Sequence, residues 1–315
     1  MGDRTKRVGE LSFRLKPIPP FRLDLTAWAI RRRPHNTMDH FDGETYRRVV
    51  VMDEHPAAIS VRQIAPPKTP EIEVVATGSG VSRKTAPAIE AIVDRILGLS
   101  IDLRDFYRLG RNDAAIGPLV RRLKGMKPVR FPTNFEAFTN AVACQLVSLT
   151  AGMHVVNRIA DRYGRTCEVE GARLHACAEA SDIAHAEVED LRALGLSRPK
   201  ARYLIGLAQI ATAADPDFRS MELLDDAVAI AALSKISGVG RWTAEYVLLR
   251  GCGRFNIFPG DDVGGRNGLR AFLGIDNELD YDGVRTTLAR WHAWGGFIYF
   301  HLLVNALADK GIVRA

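Results

Sequence analysis

The sequence predicts an α+β N-terminal domain followed by a mostly α-helical region, and three observations carry that expectation. Stretches rich in β-branched residues occur early, at Tyr46 to Met52, Ala57 to Gln63 and Glu71 to Thr77. After about residue 105 the strand signal fades, and helical periodicities follow one another across short connections. With 315 residues, the chain is long enough to bury a real core and suggests about two domains.

In chain order, residues 1–10 read as a disordered basic tail, 11–105 as the α+β domain and 106–315 as the helical region. Phe21 to Arg32 carries Phe21, Leu23, Leu25, Trp28 and Ile30, which fits a strand entering a helix or a helix throughout. Tyr46 to Met52 and Ala57 to Gln63 fit a strand pair, and alternation at Ile72, Val74 and Ala76 fits a third strand. Ala86 to Leu97 spaces Ile89, Ile92, Val93, Ile96 and Leu97 as one helical face. This order predicts a small sheet with helices on one face. Helical patterns then occupy Phe106 to Leu109, Gly117 to Leu123, Asn134 to Tyr163, Ala184 to Leu194, Arg198 to Ala213, Leu223 to Leu233 and Arg241 to Leu249. Further ones follow at Asp262 to Phe272, Tyr281 to Arg290 and Gly295 to Lys310. Gly152 is expected to break the long run from Asn134 to Tyr163. Leu194-Gly195-Leu196, before a basic helix, has the look of a small hairpin.

The apolar and charged fractions are those of an ordinary globular protein. A net charge of +6 fits a polyanionic partner without demanding one. No apolar run reaches the roughly eighteen residues of a membrane span. Met1 to Arg7 lacks the apolar core of a secretion signal, so a cytoplasmic location is expected. Cys144, Cys167, Cys177 and Cys252 include no Cys-x-x-Cys pair and no C-terminal cluster. That argues against zinc or an iron–sulfur cluster and for reduced thiols.

The most informative stretch runs from Leu233 to Gly264. An apolar run ends in Ser237-Gly238-Val239-Gly240, a helical run from Arg241 to Arg250 follows, and Pro259-Gly260 leads to Asp261-Asp262. Two glycines permit a tight turn without Cβ clashes and leave backbone N–H groups bare where a helix begins. Such an N-terminus suits a phosphate oxygen. A DNA-backbone clamp therefore lies about twenty residues before an acidic pair, which points to chemistry on nucleic acid.

This arrangement, with the helix-hairpin-helix at residues 231–252, resembles the helix-hairpin-helix DNA glycosylases, in particular the bacterial DNA-3-methyladenine glycosylase II type. The likeness extends to Phe131-Pro-Thr-Asn-Phe-Glu136, to Cys144-Gln-Leu-Val-Ser148 and to Leu191 through Leu204, and more loosely through the first hundred residues. It implies two helical lobes flanking a cleft, the hairpin and an aspartate at its mouth, and a chain that returns to the first lobe at its C-terminus. It also implies a monofunctional enzyme that flips out and excises alkylated purines of the 3-methyladenine and 7-methylguanine kind during base excision repair. The expected partner is double-stranded DNA carrying damaged bases, no membrane is expected to take part, and a monomer is expected.

The resemblance assigns roles residue by residue. Asp262, the second carboxylate of the pair, becomes the catalytic group, because an ionised carboxylate stabilises the oxocarbenium-like sugar and orients water. Asp261 then caps the following helix; without the hairpin, capping alone would explain both. Trp242 stands where strand-cutting relatives carry a nucleophilic lysine, so no lyase step is expected. Trp242 and Tyr246, four apart, share a helical face and offer a π surface to a flipped base, the alternative being plain core aromatics. Leu146 matches the wedge that fills the gap left by the flipped base, although a leucine in an apolar run is ordinarily core. Gln145 beside it supports the neighbouring strand or the opposite base. Gly238, Gly240 and Thr243 contact phosphate through N–H groups and one hydroxyl. No cofactor is required for chemistry, and the hairpin carbonyls offer a site for a monovalent cation.

Among other residues, Arg31-Arg32-Arg33 reads as a solvated face, Lys200 and Arg202 as better placed for phosphate, and His301 as a satisfied core histidine. Leu303 and Val304 replace a bulky aromatic pair of the family, which bears on the lesion range. Two alternatives stay open: a related enzyme acting on deaminated or oxidised bases, and a hairpin DNA-binding module without catalysis.

Overall fold

The computed structural model describes residues 9–169, 171–214, 218 and 220–314. The chain begins with β1 (Gly9–Leu15), α1 (Leu23–Arg31), β2 (His40–Phe41), β3 (Thr45–Met52), β4 (His55–Gln63), β5 (Ile72–Gly78) and α2 (Ala86–Leu97). It continues with α3 (Arg104–Asn112), α4 (Gly117–Arg122), α5 (Asn134–Cys144) and α6 (Leu149–Tyr163), then the hairpin β6 (Thr166–Val169) and β7 (Ala172–His175). The remaining helices are α7 (Ala180–Ile183), α8 (Val188–Ala193), α9 (Arg198–Ala213), α10 (Asp226–Leu233), α11 (Arg241–Arg250), α12 (Val263–Leu273), α13 (Tyr281–Leu288) and α14 (Gly295–Asp309). No helix among the described residues is long and apolar enough to cross a membrane.

An α+β unit followed by helices is therefore what the chain forms. The five N-terminal strands make one antiparallel sheet in the order β1-β5-β4-β3-β2. Its register lines Phe13, Val74, Val61, Tyr46 and Phe41 across the strands in one row. With side chains alternating between faces, that row joins the main core shared with α1 and α2. On the other face Val49 and Ala58 pair and pack against Leu174 and Ala176.

This second layer corrects the expectation that strands end near residue 105. The strands β6 and β7 are four residues each, too short and too polar to announce themselves, and they form by packing on a sheet a hundred residues away. The expected basic tail also overlaps β1, whose Leu11, Phe13 and Leu15 alternate; residues 1–8 lie outside the described residues.

Gly152 does not break a helix. The interruption falls at residues 145–148, where Ser148 accepts a hydrogen bond from the Ala151 N–H and starts α6. Gly152 sits inside α6 because a Cβ there would run into Cys144 of α5. The glycine thus serves close helix contact rather than a turn.

The helices fall into two groups. Helix α5 packs against α6, α9 and α11, with α7 and α8 on α9 and α10 on α11. Helix α14 packs against α12, α1 and α4, which returns the C-terminus to the earlier part of the chain. One core cluster runs through both groups, from Phe21 to Val313.

A buried ion network ties the sheet to α5. Arg48 of β3 donates to Asp39 at 2.7 Å and to Glu136 of α5 at 2.5 Å. Asp39 also accepts from Tyr46 at 2.6 Å and Asn36 at 3.0 Å. Burial works against the Asp39 carboxylate, yet the Arg48 guanidinium and these donors hold it below the usual range. Every charge in this network has a partner.

Candidate active site

The turn between α10 and α11 needs its glycines for two different reasons. Gly238 has φ +82°, and a Cβ there would collide with Tyr203. Gly240 is the exposed N-cap of α11, with open space around it and no side chain capping the helix. The first N–H groups of α11 are thus left without intrahelical or side-chain acceptors, a preformed seat for an anionic oxygen.

The loop from α11 to α12 is held by Glu245, a residue that carried no signal in the sequence. Its buried carboxyl accepts from the Gly260 N–H at 3.0 Å and from the Tyr281 hydroxyl at 2.6 Å. Burial pushes this carboxyl up, and the two donors pull against it. Arg241 stacks on Tyr281 at 3.6 Å and forks onto Asp261 at 2.8 and 3.1 Å.

That pairing corrects the expected division of labour between the two carboxylates. Asp261 is turned toward Arg241, and it is Asp262 that caps α12, its Oδ1 accepting from the Gly265 N–H at 2.6 Å. The Asp262 Oδ2 accepts from the Trp242 indole N–H at 3.1 Å. Asp262 stays half-buried, so it keeps lone pairs on a solvent-facing carboxylate fixed by two donors.

Trp242 and Tyr246 do lie together, with ring centroids 5.4 Å apart and planes 33° from parallel. Beneath them are two buried arginines. Arg32 is only 2% exposed, which overturns its assignment to a solvated face. At the end of α1, with φ 61°, it donates from Nη1 to the Tyr246 hydroxyl at 2.7 Å and from Nη2 to Asn140 at 2.5 Å. Arg31 instead stacks on Trp28, its guanidinium 4.9 Å from the ring. Arg250, 1% exposed, lies 4.7 Å from Phe300, 5.6 Å from Tyr246 and 6.0 Å from Tyr299. Among the described residues its guanidinium makes a single hydrogen bond, a 3.4 Å contact to the Ala29 carbonyl. The Nε atoms of both arginines lack partners, and neither side chain has a carboxylate within ion-pair distance among the described residues. Burial pushes the Tyr246 and Tyr299 phenols up; nearby Asp262 adds to this, and the arginines oppose it.

The segment before α6 presents Leu146, fully exposed at 104% and held at φ 53°, with Val147 half-open beside it. Gln145 turns the other way: its Nε2 donates to the Gly238 carbonyl at 2.9 Å and to the Thr243 hydroxyl at 3.0 Å. Gln145 therefore splints the exposed leucine to the hairpin. Thr243 is 2% exposed and its hydroxyl is taken up by Gln145, which leaves only its backbone for a phosphate. Lys200 is likewise engaged, with Nζ donating to the carbonyls of Gln145 at 2.6 Å and Ala143 at 3.3 Å at the end of α5, where the helix dipole favours a cation. Arg202 remains exposed.

Farther away, Trp291 is buried and donates to Asp113 at 2.7 Å. His301 packs among Phe106 and Phe297 as a core histidine; its Nδ1 lies 2.9 Å from the Phe297 carbonyl, while its Nε2 has no partner. Val304 is fully buried in the same helix. Hollows of about 390 Å³ at Arg290 to Trp294 and about 270 Å³ at His40 to Asp42 are not lined by Asp262 or Trp242. Among the described residues no cluster of His, Cys, Asp and Glu would hold a metal ion.

Residues 139–293 match the family described as HhH-GPD superfamily base excision DNA repair protein. The chain is 26% identical over 205 residues to the DNA-3-methyladenine glycosylase of Bacillus subtilis, covering 65% of this chain and 67% of that protein. In fold it is similar to a 3-methyladenine DNA-glycosylase from Archaeoglobus fulgidus, with a TM-score of 0.82, 23% identity and coverage of 96% of this chain and 100% of that one. An 8-oxoguanine glycosylase/lyase of Clostridium acetobutylicum shares the fold at a TM-score of 0.75 and 15% identity, covering 96% of this chain and 98% of that one.

Proposed function

The chain belongs to the HhH-GPD superfamily of base excision DNA repair proteins, and on that premise we propose that it is a monofunctional DNA glycosylase acting on alkylated purines in duplex DNA. The relatives named as 3-methyladenine glycosylases support the substrate class. One observation carries the reading: a half-exposed carboxylate, Asp262, is fixed by the Trp242 indole one helical turn from an uncapped hairpin. The enzyme works as a monomer in the cytoplasm.

The chemistry follows from charge. As the C1′–N bond lengthens, its electron pair leaves with the base and positive charge builds on the sugar. The Asp262 carboxylate stabilises that charge and accepts the proton of the water that adds at C1′. A base already cationic needs little further help to leave. Trp242 has no amine to attack the sugar, so the product is an abasic site with an intact strand. To reach Asp262 the nucleotide must leave the stack; Leu146 takes its place, while the N–H groups beside Gly238 and Gly240 hold the backbone.

Duplex oligonucleotides carrying single lesions test this. Release of 3-methyladenine or 7-methylguanine without strand breakage is expected, and Asp262→Asn should lower it by at least about 100-fold. Binding to an abasic analogue should survive, because asparagine also caps a helix. Strand cleavage before alkaline treatment, or undiminished release by the variant, would refute the assignment.

A further inference from the structure

Asp262 takes its position from the loop that delivers it as well as from its own two hydrogen bonds. The Asp262 N–H closes a turn onto the Pro259 carbonyl at 2.9 Å, so Gly260 and Asp261 lie inside that turn. Among the described residues, the hydrogen bonds that reach these two from outside the loop come from α11: Glu245 takes the Gly260 N–H, and Arg241 takes the Asp261 carboxylate. Arg241 and Glu245 are four apart and share a helical face. Trp242, next to Arg241, holds Asp262 itself. Tyr281, the first residue of α13, completes the arrangement. Its hydroxyl donates to Glu245, the Arg241 guanidinium lies on its ring, and a Cβ on Gly260 would come within 2.6 Å of the same ring. Both Glu245 oxygens are thus engaged in one cluster, one by the turn and one by the side chain against which the turn packs. Packing alone does not call for a carboxylate at this buried position, where an apolar side chain would fill the space without the desolvation cost.

We propose that Glu245 is a positioning residue of the reaction, with Tyr281 as its support from α13: by holding the Gly260 N–H, the Glu245 carboxylate sets where Asp262 stands against the sugar, and so governs the rate of bond breaking rather than the grip on DNA. The proposal rests on the reading of Asp262 as the group that faces the sugar. Glu245 touches no substrate and exchanges no proton with it. Without that acceptor the turn is free to shift, and a displacement of about 1 Å at a catalytic group lowers the rate by about 100-fold. The hairpin N–H groups and Leu146 belong to other turns, so the affinity for duplex does not depend on this one.

The test measures single-turnover release of 3-methyladenine and 7-methylguanine from methylated duplex at saturating enzyme, beside the Kd for a duplex with an abasic analogue. Glu245→Met should lower the rate constant by about 100-fold and leave the Kd essentially unchanged. Glu245→Gln should recover most of that loss, because its amide oxygen still accepts from Gly260 and its amide N–H meets the Tyr281 oxygen. Tyr281→Phe keeps the ring and its packing, so it tests the same link even where the methionine variant unfolds; its rate constant should fall by about tenfold or less, again at constant Kd. A structural role alone would shrink the burst amplitude, through loss of folded enzyme, and leave the rate constant unmoved, which overturns the proposal. So does a Glu245→Gln variant as slow as Glu245→Met, or a loss of affinity that matches the loss of rate. Binding of the duplex by the unaltered enzyme with no release of either base fails the reading of Asp262, and the proposal falls with it.

Discussion

Arg48 and the pair Arg32 and Arg250 are all buried, Arg48 meeting Glu136 and Arg32 meeting Asn140 one turn later on α5, yet they are treated in opposite ways. Arg48, under the sheet, is matched in charge by Asp39 and Glu136, although its Nε, like those of Arg32 and Arg250, has no partner, and Asp39 accepts further from Tyr46 and Asn36. Arg32 and Arg250, under Trp242 and Tyr246, have one phenol, one amide and a weak carbonyl contact between them. Both places bury positive charge, yet only the first is electrically closed. A closed network orders the join between sheet and helices; an open one stores a field that a ligand can meet. The difference separates the part of the molecule that holds shape from the part that does chemistry.

Stability measurements can break that comparison. Arg48→Met leaves Asp39 and Glu136 buried without a counter-charge, and urea denaturation should show a loss of about 3–5 kcal/mol. Arg250→Met removes a charge that has no carboxylate partner, and stability should hold or rise by about 1–2 kcal/mol. Equal losses in the two variants would show that the arginines beneath Tyr246 are as structural as Arg48.

A third buried cation-former sharpens the contrast, because it stays neutral. Burial lowers the His301 imidazole from 6.5 to about 4. Below pH 6.5 the unfolded chain takes up a proton that the folded one refuses, so stability falls as pH drops toward 4. The full penalty is about 3 kcal/mol at and below pH 4. His301→Phe should flatten the dependence of Tm on pH between 7 and 4.5; an unchanged slope would place the acid sensitivity in other groups.

Leu146 offers the smallest effect on stability. Because the side chain touches solvent only, Leu146→Ala should change unfolding free energy by less than about 0.5 kcal/mol. Excision from duplex should nevertheless drop more than excision from single-stranded DNA, where no stack has to be held open. Equal losses on both substrates would remove the wedge role.

Much of the site was visible in sequence because it is local. Gly238, Gly240, Trp242, Tyr246 and Asp262 fall within twenty-five residues, and a turn followed by a helix fixes their relations. The elements that escaped notice depend on distant partners. The hairpin β6–β7 exists by virtue of Val49 and Ala58, and Gly152 is small because Cys144 approaches it. Asp262 rather than Asp261 caps α12 because Arg241, twenty residues upstream, captures Asp261. Lys200 and Thr243 have side chains suited to phosphate, but the end of α5 engages the first and Gln145 the second, which no local pattern announces.

By itself, then, the sequence determined the fold class, the hairpin and the placing of an acidic pair after it, since periodicity and glycine turns act over a few residues. Only the tertiary structure decided which carboxylate is free of Arg241, and which arginine of Arg31-Arg32-Arg33 goes inside. The reason is physical: burial and charge pairing are properties of what surrounds a side chain. For Arg32 and Arg250 those surroundings are assembled from α1, α5, α11 and α14, segments more than two hundred residues apart.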